Sequence, residues 1–417
     1  MPPRGDPHKE ESMSKSIKAL ILSVSAAIAL FAVMGGIGVH ASSTGGDGAY
    51  RQLGVYSEVL SRIKSEYVEE PNVPEVTDGA LHGLLESLDA NSSYLSPAEY
   101  KRYKDHRNEG KAGIGATVSK RFGYAAVIAV IPGGAAEKAG ISGSDIIEAI
   151  ENKSTRTMSL AEVNSLLGGS QGSRVTLSIV RARKAEPQKI VVTREVPTFP
   201  AVNDKMLDAG IGYVQVETLT KGKALEAANK IKALQKAGAK KLILDLRNTA
   251  EGDPAEGIAL ANLFLDHGTI TYLQGQKYPK ETFNADPKNT ITKLPMTVLV
   301  NRGTANAAEI TAAAILENQR GDVLGDKTFG VGSVQKVIEV PDGSALILSV
   351  AKYYSPSGKA IQDSAVTPNI LVADVDDDAL LSDDEETTTP ATDDKKPPKQ
   401  QEDEQLKRAV ESLKNRA

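Results

Sequence analysis

The sequence has no cysteine and no tryptophan, and only 5 histidines in 417 residues. Without cysteine there is no disulfide frame, no thiolate nucleophile and no Cys-based zinc site, and cysteine usage leaves the redox compartment unmarked. Beyond the N-terminal region the histidines are His82, His106 and His267, scattered over helical or loop stretches with no paired motif. They supply neither a Ser-His-Asp arrangement nor an H-E-x-x-H helix. A P-loop and a Gly-rich dinucleotide turn are absent too, so neither cofactor nor metal is expected. Positive charge is in short supply: 49 Lys+Arg against 54 Asp+Glu leave a net charge of -5. A nucleic-acid binder needs a basic footprint to release counterions, and that class is set aside.

What is present is enough apolar material, 40% of residues, to build two or three modules that each bury a core. Lys15 and Lys18 precede an apolar run over 19–39, which closes on the small-x-small pattern Val39-His40-Ala41. The segment 1–41 therefore reads as a signal peptide or an uncleaved N-terminal membrane anchor, placing the remainder outside the cytoplasm, in the periplasm or cell envelope. A linker and helical subdomain follow over 42–110. Leu53, Tyr56, Val59, Leu60 and Ile63 recur at helical spacing, and so do Ala80, Leu81, Leu84, Leu85 and Leu88. Asn91-Ser92-Ser93 breaks the pattern, and Ser96-Pro97 looks like an N-cap followed by proline in the first turn.

Over 111–197 the period shortens to strands punctuated by Gly and Pro, "GIGATVS", "AAVIAVIP", "IIEAIEN", "RVTLSIVR" and "KIVVTREV", with two helical stretches between them. The ordered set "GIGATV", "VIPGGAAEKAGISGSDIIEAIENKST" and "LLGGSQGSRVTLSIVR" resembles a PDZ domain. The resemblance implies a groove that takes a peptide as an added strand, with the turn Gly113, Ile114, Gly115 and Ala116 receiving a C-terminal carboxylate. From 198 to 373, strands and helices alternate, the pattern of a layered α/β core whose site sits in loops at the carboxyl ends of its strands. The tail 374–417 reads as an acidic, solvated linker and a final helix. The fold class is thus α/β and multi-domain: an N-terminal helical segment, a PDZ-like β-rich module and a layered core.

Taken together, "YSEVLSRIKSEYVEE", the PDZ-like motifs, "AGAKKLILDLRN", "RGTANAAEITAAAILENQRGDVLGDKTFGVGSVQ" and "PDGSALILSVAKYYSPSGKAIQ" resemble the carboxy-terminal processing, or tail-specific, proteases from about residue 50 to about residue 372. The resemblance implies a serine-type peptidase. Its nucleophile lies in a turn like G-[ST]-A-S-A, and its general base is a lysine in T-F-G-K-G, whose pKa desolvation lowers. Carried over residue by residue, the serine position is Asn306 and the lysine position is Val331, with Gln335 retained where the family orients the lysine. The offset between the two, 331 - 306 = 25, matches the family's spacing. An asparagine amide has no ionisable nucleophile and valine no proton acceptor. Loss of one member of such a couple typically costs roughly 10⁴ to 10⁶ in turnover.

The oxyanion site departs as well. The family pattern D-L-R-N-N-P-G-G appears as "DLRNTAEGD", so Glu251 stands at the first glycine position beside Gly252, and Ala307 supplies the other amide. A Cβ at position 251 resists a glycine-type backbone, and a carboxylate there opposes developing negative charge. Thr304, Thr328 and Ser333 are nearby hydroxyls and Lys327 a nearby amine, but none occupies a dyad position. The expectation is an exported, catalytically silent homologue that binds peptide or unfolded polypeptide C-termini and regulates or scaffolds, with an active homologue or its own copies as partners. A working endopeptidase with an unrecognised nucleophile and a structural envelope protein are the alternatives.

Overall fold

The computed structural model describes residues 46–108, 112–181, 186–373 and 403–414; the expected leader and most of the acidic linker lie outside them. The chain divides into two compact units, Met1–Thr77 and Asp78–Ala417. In the first, helix α1 (Gly46–Glu66) carries the expected apolar stripe, with Leu53 and Val59 more than half exposed. Arg62 clasps Glu58 and Glu66 one turn away on either side. Helix α2 (Val73–Glu86) runs from the end of this unit into the second.

The second unit departs early from an all-helical reading. Residues Ser93–Leu95 form strand β1, not only a helix break: they pair antiparallel with residues 345–347, and their side chains are buried. Helix α3 (Pro97–Asn108) then starts as anticipated. Glu99 reaches back to the amide and hydroxyl of Ser96, at 2.8 and 2.9 Å.

The β-rich module contains β2 (Ala116–Arg121), β3 (Tyr124–Val130), α4 (Ala135–Lys138), β4 (Ile146–Ile150), β5 (Lys153–Ser154), α5 (Leu160–Leu167), β6 (Arg174–Val180) and β7 (Gln188–Thr193). Its sheet order is β2-β3-β4-β6-β7, which leaves β2 at an edge. Alternation along β6 sends Val175, Leu177 and Ile179 inward to meet Val163 and Leu167 of α5. Ser159 caps α5 by accepting from the Glu162 amide at 3.2 Å.

The layered core follows: β8 (Asn203–Leu207), β9 (Ile211–Gln215), α6 (Lys223–Lys236), β10 (Lys241–Asp245), α7 (Pro254–Asn262), β11 (Thr269–Gln274), β12 (Glu281–Asn284), β13 (Met296–Val300), α8 (Ala307–Glu317), β14 (Asp322–Gly325), β15 (Ser333–Glu339), β16 (Ala345–Tyr354), α9 (Ile361–Ser364), β17 (Ile370–Leu371) and α10 (Glu404–Lys414). The main sheet has the order β17-β14-β13-β10-β9-β8, parallel from β17 to β9. A second sheet, β1-β16-β11-β12 with β15 on β16, ties the segment after α2 to the core.

Both faces of the main sheet are covered, which explains why β10 and β13 are apolar at consecutive positions. Leu242 and Leu244 pack against α6, α7 and α8, whereas Ile243 faces the opposite way with Tyr213, Leu299 and Leu324. That second face is closed by Ala409 and Leu413 of α10. Asp403, just before α10, forms a two-pronged ion pair with Arg247, both contacts at 2.8 Å. Arg247 in turn holds the fully buried Asp245. The final helix thus docks at the end of β10, a location no local pattern marked.

Candidate functional site

Parallel strands deliver their carboxyl ends to one edge, and three loops meet there. β10 leads into 246–253, β13 into 301–306 and β14 into 326–332; β13 lies between the other two strands. Side chains lock the loops together. Asn301 Oδ1 accepts from the amides of Asn248 and Gly303 at 2.9 and 3.0 Å, and its Nδ2 donates to Asn248 Oδ1 at 3.0 Å. Buried Thr304 donates to the Leu246 carbonyl at 2.8 Å, and the Phe329 amide donates to the Thr304 carbonyl at 3.0 Å.

Asn306 occupies the turn before α8 with φ 57° and ψ -119°. A non-glycine residue there carries strain of order 1–3 kcal/mol, held only because its surroundings leave no alternative. Its Nδ2 donates to the Gly252 carbonyl at 3.1 Å. The amide is therefore tied to the neighbouring loop.

One residue that the sequence reading passed over holds this turn to the next loop. Glu309 is completely buried. Its Oε2 accepts from the amides of Asn306 (3.0 Å) and Val331 (2.8 Å), and its Oε1 from the Gly330 amide (2.8 Å) and the Thr328 hydroxyl (2.5 Å). A single carboxyl group thus bonds both family dyad positions. Burial pushes it up to about 7, against the four donors, which favour the charged form. Its signal was present in the sequence, since Asn306-x-x-Glu309 has capping-box spacing.

Val331 meets an apolar wall. It packs with Ile128 and Ala129 of β3, Ala250, Ala305 and Phe329, so the β-rich module closes over the position that the resemblance assigns to the lysine. Exposed Gln335 donates to Ser333 Oγ at 2.7 Å and Ser349 Oγ at 3.4 Å. Its hydroxyl partners lie on the β15–β16 hairpin. Thr328 is committed to Glu309 and to the Val366 amide (2.7 Å), and Ser333 accepts from Asn91 Nδ2 (3.2 Å). Lys327 is exposed on its loop. Lys120 on β2 is a further amine close by, its pKa lowered by desolvation, but it donates to the carbonyls of Thr155 (2.7 Å) and Met158 (2.6 Å).

At the expected oxyanion corner, Glu251 is absent from the positive-φ residues, so its Cβ is accommodated by an ordinary backbone. Desolvation raises its carboxyl pKa, with the Thr117 hydroxyl, 3.3 Å away on β2, opposing. Gly252 is the position that tolerates no side chain: a Cβ there would lie 2.6 Å from Leu219 Cβ. Ala307 opens α8, where amides have no intrahelical acceptor and the helix dipole is positive.

In the β-rich module, the Gly113 amide donates to the Glu195 carbonyl at 3.0 Å. Of the four expected turn residues, Gly113 is thus engaged within the module, and Gly115 at φ 73° makes the turn. Edge strand β2 starts at this turn and ends at Arg121, beside the loop of Val331. A cavity of about 460 Å³ joins Ser119 and Arg121 to Gly330 and Val331.

The chain matches the model of peptidase family S41 over residues 210–372 and a PDZ domain model over residues 127–181. It is 34% identical to the carboxy-terminal processing protease CtpA of Bacillus subtilis, covering 80% of this chain and 71% of that protein. It is 32% identical to the carboxyl-terminal-processing protease of Synechocystis, covering 74% of each. The solved structure of the photosystem II D1 C-terminal processing protease superimposes with a TM-score of 0.63 at 26% identity, covering 76% of this chain and 92% of that one.

Proposed function

This chain belongs to the carboxy-terminal processing proteases of peptidase family S41, and from that premise we propose that it keeps the family's polypeptide-binding frame without its hydrolytic dyad. The observation that carries this reading is the pair Asn306 and Val331, placed on loops joined by Glu309 and lacking both nucleophile and base. A serine peptidase must form a covalent acyl intermediate, and an asparagine amide tied to Gly252 O has no lone pair suited to that attack. Thr304, Thr328 and Ser333 are each held by other partners, which speaks against a substitute nucleophile.

On this reading the protein binds carboxyl-terminal or unfolded segments of other polypeptides in the groove beside β2, and acts as a regulator or scaffold, alone, as an oligomer or beside an active homologue. The proposed division is 1–41 leader or anchor, 42–110 linker and helical segment, 111–197 PDZ domain, 198–373 protease-like core and 374–417 tail. The basic-then-apolar character of 1–41 supports export to the periplasm or envelope, with association to the membrane through that segment. Among the described residues no helix is long and apolar enough to cross a membrane.

The test is mass spectrometry of an unstructured polypeptide incubated with the exported part, beside the double variant Asn306→Ser with Val331→Lys. No cleavage by the unaltered protein, with cleavage by the variant, fits an intact path around a lost dyad. Cleavage by the unaltered protein that survives repurification refutes the reading.

A further inference from the structure

We propose that the cavity beside Val331 selects acidic residues upstream of a bound carboxyl terminus, so that the preferred ligand is a polypeptide ending in an acidic segment. This rests on the reading of the β2 groove as a carboxyl-terminal binding site. The cavity is lined by Lys120, Arg121, Arg302 and Lys327 against one carboxylate, Asp326. Four cations and one anion leave 4 - 1 = +3 in a chain whose net charge is -5. Outside the lining, Glu86, 3.9 Å from Lys120 Nζ, and Glu162 also act on Lys120. Arg302 contacts Asp326 at 2.7 Å yet stays 46% exposed, and Arg121 and Lys327 are exposed. Their charge therefore reaches an incoming chain through solvent. Lys120, bonded to carbonyls behind them, adds potential without needing to touch the ligand.

Register links this cavity to the groove. A ligand that sets its carboxylate at the turn 114–116 and lies antiparallel along β2 runs its upstream residues toward Arg121. Lys120 and Arg121 lie four and five residues past Ala116 (120 - 116 and 121 - 116), or about 13–17 Å at roughly 3.3 Å per residue. Ligand side chains about four to six residues from the carboxyl terminus would then enter the cationic cavity. Ser119 and Arg121 lie beyond the bulge between Thr117 and Val118 and both line the cavity, while Thr117, before the bulge, contacts Glu251. The favoured charges thus come to the same rim that borders the substituted site.

The experiment is fluorescence anisotropy on the full chain with labelled peptides of about twelve residues. One carries Glu four to six positions from a free carboxyl terminus, a second carries Lys there, and a third is the Glu peptide with an amidated terminus. At about 50 mM salt the Glu peptide should bind roughly ten-fold more tightly than the Lys peptide, from three partly exposed ion pairs each worth a few-fold. The gap should shrink as salt is raised. Arg121→Glu and Lys327→Glu should erase or reverse that preference with unchanged melting temperature.

Equal binding of the Glu and Lys peptides, with loss on amidation, overturns the cavity proposal and leaves the groove standing. Indifference to amidation overturns the groove reading itself. If the unmodified chain binds no peptide but a variant with Asp376, Asp377 and Asp378 changed to Asn binds the Glu peptide, the ligand is the chain's own acidic run, and recognition in trans is refuted. Failure of both proteins to bind refutes the proposal and the groove reading together.

Discussion

Glu309 offers the sharpest test of how the substituted site is held. Its carboxyl is fully buried and shifted from an ordinary 4.5 up to about 7. A folded-state value above the unfolded one means that the native protein binds more protons between these limits. Its contribution to stability is therefore complete below about 4.5 and falls away as pH rises through about 7. At 1.36 kcal/mol per unit, the 2.5-unit gap corresponds to roughly 3 kcal/mol. Glu309→Gln keeps the shape and removes the titration. Urea unfolding of both proteins at intervals from pH 4.5 to 8 isolates the effect, because all other groups titrate alike in the two. The stability difference, wild type minus variant, should shrink by roughly 3 kcal/mol across that range. A constant difference would refute the reasoning. A growing one would mean that the donors from Asn306, Thr328, Gly330 and Val331 keep the carboxylate charged despite its burial.

Other perturbations test the frame around the site. Gly252→Ala forces a methyl onto Leu219, and differential scanning calorimetry should show a loss of about 1–3 kcal/mol. Arg247→Met strands the buried Asp245 and releases Asp403, a loss of about 3–5 kcal/mol by urea unfolding. Asp403→Asn, on the more exposed partner, should cost only about 0.2–1 kcal/mol. Leu413→Ala leaves a void on the second sheet face and should cost about 2–5 kcal/mol, with faster proteolytic removal of α10 as a direct readout of undocking.

The individual elements of the core were legible because each carries its own period and its own stop. "LAEVNSLLGG" has a serine cap before it and glycines after it, and the structure places α5 there. The expectation that loops at strand ends would converge was legible too, and the structure joins the loops of Asn306 and Val331 through Glu309. Short, half-polar segments were not. Ser93–Leu95 is a strand only because β16 supplies its partner some 250 residues later. Glu309 has capping-box spacing from Asn306, but three of its four donors come from residues 328–331 on another loop, which local spacing does not show.

The sequence by itself therefore determined the family and the order of its PDZ and S41 modules, both of which follow from residue identity and local spacing. Tertiary structure alone decided what surrounds Asn306 and Val331. It turned the Asn306 amide onto Gly252, walled Val331 with Ile128 and Ala129, and gave Gln335 hydroxyl partners. It also set α10 on the bare face of the main sheet. Those outcomes depend on which groups remain to satisfy one another once strands distant in sequence lie side by side, and burial makes each unsatisfied donor or bare apolar face costly enough to enforce the pairing.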